Sequence, residues 1–161
     1  MGVIRSRWCF AGFDKKAGRK PYCPEAIIDL GAVVPVVPER EAKRLGEAVR
    51  QVAPDIHRML TMPKDAQGRV VPGDYYLLGG VTSRAHGCRV EPVLVFGQRG
   101  AWRRSRTVIG REPLQAGRAI IRMGEDTMRC RRLVRGARSL GARVYARDAI
   151  KRQMPKGEWE V

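Results

Sequence analysis

Positive charge concentrated in the last third of the chain is the feature that most constrains how this sequence can fold. The 161 residues include 32 Lys and Arg against 16 Asp and Glu, which gives a formal net charge of +16. Residues 99–161 hold 17 of the basic and six of the acidic residues, and therefore carry +11 of that charge. A compact chain with such a field repels itself unless a polyanion lies nearby. The pattern predicts an anionic partner, and nucleic acid is the commonest one.

The composition predicts one folded domain. Hydrophobic residues make up 43% of the chain, which excludes a wholly disordered basic tail. The basic residues are 25 Arg and seven Lys, and Arg favours bidentate contacts with phosphate. A GC-rich genome would also raise Arg over Lys.

The four cysteines show no metal-site spacing, and none forms a C-x-x-C pair. We therefore expect four reduced thiols in a reducing compartment, with no metal and no cofactor. No apolar run approaches the roughly 20 residues of a membrane span, so no membrane partner is expected.

Residues 1–25 mix basic and aromatic side chains and are interrupted by Gly and Pro. Such a segment has little core of its own, and we expect an extension that becomes ordered on RNA. Its candidate RNA-binding residues are Arg5, Arg7, Trp8, Lys15, Lys16, Arg19 and Lys20.

Hydrophobic periodicity predicts an α+β fold. Apolar, β-branched or alternating runs predict strands at 26–37, 75–78, 90–96, 107–109, 118–123 and 142–147. Residues 39–53 and 128–140 each carry an apolar stripe at helical spacing, which predicts two amphipathic helices. The expected architecture is a two-layer sandwich of a mixed sheet with both helices on one face. Its expected boundaries are an extension at 1–25, the domain at 26–150 and a tail at 151–161.

A basic loop and a basic helix face supply the remaining candidates for RNA binding. The loop spans 97–106, and the predicted helix at 128–140 carries arginine opposite its apolar stripe. These candidates are Arg99, Trp102, Arg103, Arg104, Arg106, Arg118, Arg129, Arg131, Arg132, Arg135 and Arg138. A solvated hairpin tip is the alternative for the loop.

Catalytic motifs for nucleotide, acyl or zinc chemistry are absent from the sequence. Glu125 and Asp126 could bind Mg²⁺ in a nuclease, but helix capping explains the pair more simply. We therefore expect a protein that is not an enzyme.

Residues 97–154 resemble the universal large-subunit ribosomal protein numbered sixteen, in its bacterial and mitochondrial forms. The similar segments are Gly97-Gln98-Arg99-Gly100-Ala101 and Ala116-Gly117-Arg118-Ala119-Ile120-Ile121-Arg122-Met123-Gly124, followed by a helix ending at Ser139-Leu140-Gly141. The departures are a loop poorer in Gly and Lys, Gly141 in place of the usual proline, and residues 61–95, which match nothing closely.

The resemblance implies a structural protein of the large ribosomal subunit. It would bind rRNA near the central protuberance and the aminoacyl-tRNA side of the peptidyl-transferase region. Its partners would be large-subunit rRNA, neighbouring ribosomal proteins and tRNA, in a ribosome and preferably a mitochondrial one. The alternative is a basic viral or phage structural protein that binds a membrane or packaged nucleic acid.

Overall fold

The computed structural model describes residues 4–13, 19–100, 107–116, 118–122, 125, 127–130 and 134–135. Within them the chain is mostly strand, with four short helices. The strands are β1 (Arg5–Arg7), β2 (Cys9–Ala11), β3 (Glu25–Ile28), β4 (Val36–Pro38), β5 (Glu47–Ala48), β6 (Gly73–Leu78), β7 (Gly80–Ser83), β8 (Cys88–Glu91), β9 (Val93–Gln98), β10 (Val108–Ile109), β11 (Ala119–Arg122), β12 (Thr127–Cys130) and β13 (Val134–Arg135). The helices are α1 (Glu39–Leu45), α2 (Val49–Val52), α3 (Pro54–Met59) and α4 (Arg111–Ala116).

The largest sheet has seven strands in the order β1-β3-β10-β4-β9-β6-β5. Its pairing is mixed, because β3–β10 and β4–β9 are parallel while the other pairs are antiparallel. Strand β10 lies between β3 and β4, which are close neighbours along the chain. The segment that joins β3 to β4 must therefore pass over the end of β10.

Strands β6 and β9 form the apolar centre of this sheet. They pair over six residues, from Gly73 opposite Gln98 to Leu78 opposite Val93. Leu77, Leu78, Leu94 and Phe96 are all fully buried. Continuous apolar strands of this kind are typical of a sheet that is covered on both faces.

The predicted helix at 39–53 is broken into pieces at Gly46. Helix α1 ends at Leu45, a two-residue strand β5 follows, and the chain then turns into α2 and α3. A Cβ atom on Gly46 would lie 2.2 Å from the carbonyl oxygen of Leu77. The glycine therefore lets the chain leave the helix and pair with β6. Pro54 begins α3.

The second predicted helix is wrong over its described residues. Thr127–Cys130 is the strand β12, whose burial alternates with Met128 and Cys130 inward and Thr127 and Arg129 outward. It pairs antiparallel with β11. Short apolar runs fit both periods, and pairing with β11 decides in favour of the strand. Most of the remaining predicted helix, the predicted strand at 142–147 and the predicted tail fall in residues 131–133 and 136–161. These residues lie outside the described residues.

The described N-terminal residues are part of the fold and do not form an extension that becomes ordered only on RNA. Strand β1 pairs with β3, and β2 pairs with β7 in a four-stranded sheet of order β13-β8-β7-β2. Trp8, Phe10 and Phe13 are buried. The aromatic side chains of this segment therefore supply core area, which the sequence interpretation assigned to base stacking.

The α+β class with mixed sheets is confirmed, with more strand and less helix than expected. No helix among the described residues is long and apolar enough to cross a membrane.

The expectation of four reduced thiols is wrong. Cys9 is bonded to Cys23, and Cys88 is bonded to Cys130. The first disulfide joins β2 to the segment that precedes β3, next to the bridge between Phe10 and Tyr22. The second joins β8 to β12 and is buried. Pairs so far apart in sequence become adjacent only when the strands assemble.

We predict that replacing Cys88 and Cys130 by Ala lowers the free energy of unfolding by about 4 kcal/mol. The corresponding loss for Cys9 and Cys23 is about 3 kcal/mol. Both values follow from the loop-closure entropy for sequence separations of 42 and 14 residues. Denaturant unfolding of the oxidised protein measures both. Dithiothreitol is the control, because reduction should remove the difference in unfolding free energy between the wild type and the variants. A wild type equally stable with and without the thiol would contradict the prediction.

Candidate functional site

Asp29 lies in a tight turn immediately after β3. Its backbone N–H donates to the carbonyl of Ile109 at 3.1 Å, and its own carbonyl accepts from the N–H of Ala32 at 3.2 Å. The N–H of Gly31 donates to the Asp29 carboxylate at Oδ1, at 2.9 Å. Three short contacts therefore fix both the backbone and the carboxylate of this one residue.

The chain that follows β10 holds the same turn from the other side. The N–H of Arg111 donates to the carbonyl of Ala32, and the N–H of Glu112 donates to the carbonyl of Val33, both at 2.9 Å. A Cβ atom on Gly110 would lie 2.7 Å from the backbone of Val34, so only glycine allows this close approach. Residues 29–34, which we call the Asp29 loop, are therefore held by backbone contacts from the end of β10 and from the start of α4.

The Asp29 carboxylate differs from most others in the described part of the chain. Asp29 is exposed, and no Lys or Arg of the described residues forms an ion pair with it. Carboxylates that do pair with a basic side chain include Glu39, Glu41, Asp65, Asp74, Glu91 and Glu125. Asp29 therefore has a fixed position and a free oxygen face, which general acid or base chemistry requires.

Apolar side chains flank this carboxylate on the surface. Leu30 is 47% exposed and Val33 is 51% exposed, both within the Asp29 loop. Folding alone does not require these two large apolar side chains to be exposed beside a charged one. An exposed patch of this kind indicates contact with a partner or a substrate.

The buried carboxylate of Glu39 is a second polar cluster. It accepts from Arg99 Nε at 2.8 Å and from the hydroxyl of Tyr76 at 3.1 Å. The hydrogen bond from Arg99 is the main cause that holds the pKa of Glu39 below its usual value, against the opposing effect of burial. Burial, reinforced by the neighbouring Glu39 charge, raises the pKa of Tyr76.

The buried carboxylate of Asp74 is the centre of a third polar cluster. Its burial opposes ionisation, but hydrogen bonds from His57, the Tyr75 N–H and Arg50 together lower its pKa. His57 Nε2 lies 2.8 Å from Oδ1, and Arg50 contacts Oδ2. A cavity of about 430 Å³ is lined in part by Asp74, Arg50 and Arg99. Its two arginines are already paired, so these two clusters stabilise the fold.

We predict that Glu39→Gln lowers the free energy of unfolding at pH 7 by about 1–2 kcal/mol. The value is modest because Arg99 is 62% exposed and water screens the pair. Since the folded pKa of Glu39 is lowered, its contribution is complete above its usual pKa of 4.5 and is lost as the pH falls through the folded pKa. Urea unfolding of both proteins between pH 3 and 7 is the measurement. A difference in unfolding free energy that is as large at pH 3 as at pH 7 would show that the ionised Glu39 carboxylate is not its cause.

The described residues that the sequence nominated for RNA binding have different surroundings. Trp8 is 1% exposed, and its indole N–H donates to the hydroxyl of Ser6. Arg19 donates to the carbonyl of Arg44, and Lys20 accepts from Arg44 through its carbonyl. Arg99 is held by Glu39. Exposed side chains are those of Arg5, Arg7, Arg118 and Arg129, as well as Arg19, Lys20 and Arg99, and Arg135 lies in β13.

The other nominated residues lie outside the described residues: Lys15, Lys16, Trp102, Arg103, Arg104, Arg106, Arg131, Arg132 and Arg138. Glu125, considered for Mg²⁺, forms an ion pair with Arg122. No group of three or more His, Cys, Asp and Glu within the described part of the chain could hold a metal ion.

Asp29 was missed because residues 26–37 looked like one apolar strand. The signal was Asp29 followed by Gly31, two residues that form turns in the middle of a β-branched run. The second half of the site, Ile109-Gly110-Arg111, is 80 residues away in sequence. Only the sheet order brings the two together.

Comparison with known proteins does not support the family that the sequence resemblance suggested. No protein-family model matches the chain, and no curated protein matches it. The fold is similar to a retropepsin-like aspartic protease from Rickettsia conorii (15% identity, TM-score 0.47, 79% of this chain and 80% of that one). It is also similar to the retroviral protease-like domain of Ddi1 from Leishmania major (14%, 0.42, 83% and 91%) and to EIAV protease bound to the inhibitor HBY-793 (16%, 0.40, 71% and 86%).

The prediction of a ribosomal protein is wrong. The similar structures have retropepsin-like folds, and the helix that the resemblance requires at 128–140 begins instead as strand β12. The expectations that depended on the resemblance are withdrawn with it: the structural role on rRNA, the ribosomal and tRNA partners, the ribosomal or mitochondrial location and the absence of enzymatic activity. The viral structural alternative is likewise unsupported.

Proposed function

We propose that this protein is a peptide-bond hydrolase of the aspartic type, in which Asp29 is the catalytic carboxylate. The observation that carries the proposal is the Asp29 loop. It presents an exposed carboxylate, held by backbone hydrogen bonds and paired with no cation of the described residues. This geometry alone assigns the catalytic role to Asp29. Peptides are the first substrate to test, because the similar solved structures are proteases or protease-like domains.

The chemistry requires two copies of the chain. An aspartic protease uses two carboxylates that share one proton, because two like charges about 3 Å apart cannot both ionise. The described residues contain one loop of this kind. A twofold symmetric dimer would bring Asp29 of one copy against Asp29 of the other, since such a dimer uses the same surface on both subunits.

The surroundings of Asp29 fit such an interface. Val33 is about half exposed in the isolated chain and would be covered in the dimer. Excluding water from the two carboxylates would strengthen their coupling. The backbone contacts from Ile109, Arg111 and Glu112 would keep each carboxylate in place as the two subunits meet.

Each residue of the pair has a defined task in hydrolysis. The ionised Asp29 takes a proton from a water molecule, whose oxygen attacks the carbonyl carbon of the scissile bond. The protonated Asp29 of the other copy gives its proton to the carbonyl oxygen. The tetrahedral diol then collapses: the C–N bond breaks, the Asp29 that took the proton from water gives it to the nitrogen, a diol hydroxyl returns a proton to the other Asp29, and an acid and an amine leave.

We predict that Asp29→Asn abolishes peptide hydrolysis while the fold is retained, because the amide oxygen can still accept from the Gly31 N–H but cannot exchange a proton. Activity of the wild type should follow a bell-shaped pH profile, since one carboxyl must be ionised and the other protonated. Cleavage of randomised peptides followed by mass spectrometry is the measurement.

Asp65→Asn is the matched control. Asp65 is also a turn carboxylate that accepts from backbone N–H groups, those of Gln67 and Arg69, but it lies outside the Asp29 loop. It should leave hydrolysis unchanged. Full activity in the Asp29→Asn protein would remove Asp29 from the mechanism.

We further predict that Val33→Glu weakens the dimer and lowers specific activity at low protein concentration. Val33 is 51% exposed, so the change should leave the monomer folded, while two like charges meet at the twofold interface. Sedimentation velocity over a dilution series measures the dissociation. Val70→Glu, at a site 58% exposed in another loop, is the control. A wild type that is active as a monomer would overturn the two-copy site.

A further inference from the structure

A small cavity opens beside the Asp29 loop. It has a volume of about 230 Å³, and Leu30, the neighbour of Asp29, forms part of its wall. Leu114 of α4 and Ala119 and Ile121 of β11 supply the remaining apolar surface. Leu114 is buried, so this end of the cavity belongs to the core.

Two arginines stand at this cavity. Arg111 and Arg118 line it, both are exposed, and neither forms an ion pair with a described residue. Other arginines of the described part of the chain, such as Arg44, Arg50, Arg89 and Arg99, do pair with a carboxylate. No acidic residue lines the cavity. It therefore combines an apolar wall with two unneutralised guanidinium groups.

The backbone places Arg118 there at a conformational cost. Its φ is +49°, in the left-handed region that residues other than glycine seldom occupy. Its N–H donates to the carbonyl of Gln115 at 3.1 Å, which closes the turn between α4 and β11. Strained positions of this kind concentrate at binding and catalytic sites.

We infer that this cavity, which we call the Arg111–Arg118 pocket, binds an acidic side chain of the peptide substrate. This inference rests on the proposed function, since the pocket adjoins the proposed catalytic carboxylate through Leu30. The methylene groups of a glutamate would pack on the apolar wall, and its carboxylate would meet the two guanidinium groups. A charge-assisted pair of this kind is stronger than a neutral hydrogen bond. The two cations would also offset the repulsion between a substrate carboxylate and the catalytic pair.

The experiment compares cleavage of randomised decapeptides by the wild type and by the double variant R111Q/R118Q. Sites cleaved by the wild type should be enriched in Glu or Asp at one fixed position from the scissile bond. A matched pair of peptides with Glu or Gln at that position should then differ about tenfold in kcat/KM. R111Q/R118Q should reduce this ratio to near one. R58Q/R84Q removes the same charge at exposed sites outside the pocket and should keep the ratio.

A second readout separates this inference from the proposed function. Binding of the Glu and Gln decapeptides to the catalytically inactive Asp29→Asn protein is measured by calorimetry, with and without R111Q/R118Q. Cleavage without an acidic preference, or with an aromatic one, overturns the pocket assignment and leaves the hydrolase intact. If no peptide is cleaved, the hydrolase is overturned, and a tenfold loss of Glu-peptide binding in R111Q/R118Q still supports the pocket. If the Glu peptide binds no better than the Gln peptide, the pocket assignment fails as well.

Discussion

The position of β10 between β3 and β4 is the constraint on which the candidate site depends. Because those strands are neighbours along the chain, the segment joining them must cross the end of an inserted strand. Backbone N–H and C=O groups at the crossing are satisfied mutually: Asp29 with Ile109, and Ala32 and Val33 with the start of α4. A loop held mainly by backbone contacts leaves its outward side chains available for function. Asp29, Leu30 and Val33 are accordingly exposed.

Part of the arginine content has a structural role that composition did not suggest. Within the described residues, several arginines lie over carboxylates, and two of those carboxylates, Glu39 and Asp74, are buried. Such pairs fix short segments of backbone, but they leave the net charge of +16 unchanged, because the acidic residues are already counted in it. At Arg111 and Arg118 the unpaired charge stands beside an apolar cavity and next to the proposed catalytic loop.

The ribosomal interpretation failed for a physical reason that lies in residues 116–130. An aliphatic strand followed by residues with a helical apolar stripe is common to many α+β proteins, and periodicity over a few residues fits two structures. The β11 strand was predicted correctly, and Ile120 on this strand is exposed. The next segment, β12, is a strand because it pairs with β11 and because Cys130 bonds to Cys88. That disulfide partner lies 42 residues away and has no signature in the local sequence.

Local chemistry determined the α+β class, the strands at β6, β9, β10 and β11, and the helical start at Glu39. These follow from apolar runs and from periodicity within about ten residues. The tertiary structure alone decided the break at Gly46, where a Cβ atom would collide with Leu77, and the burial of Trp8 and Phe10. It also decided the site, since Asp29 and Gly110 are adjacent only because β10 pairs with β3. Contacts between residues 80 positions apart depend on sheet order, which a single sequence specifies only through the energy of the whole fold.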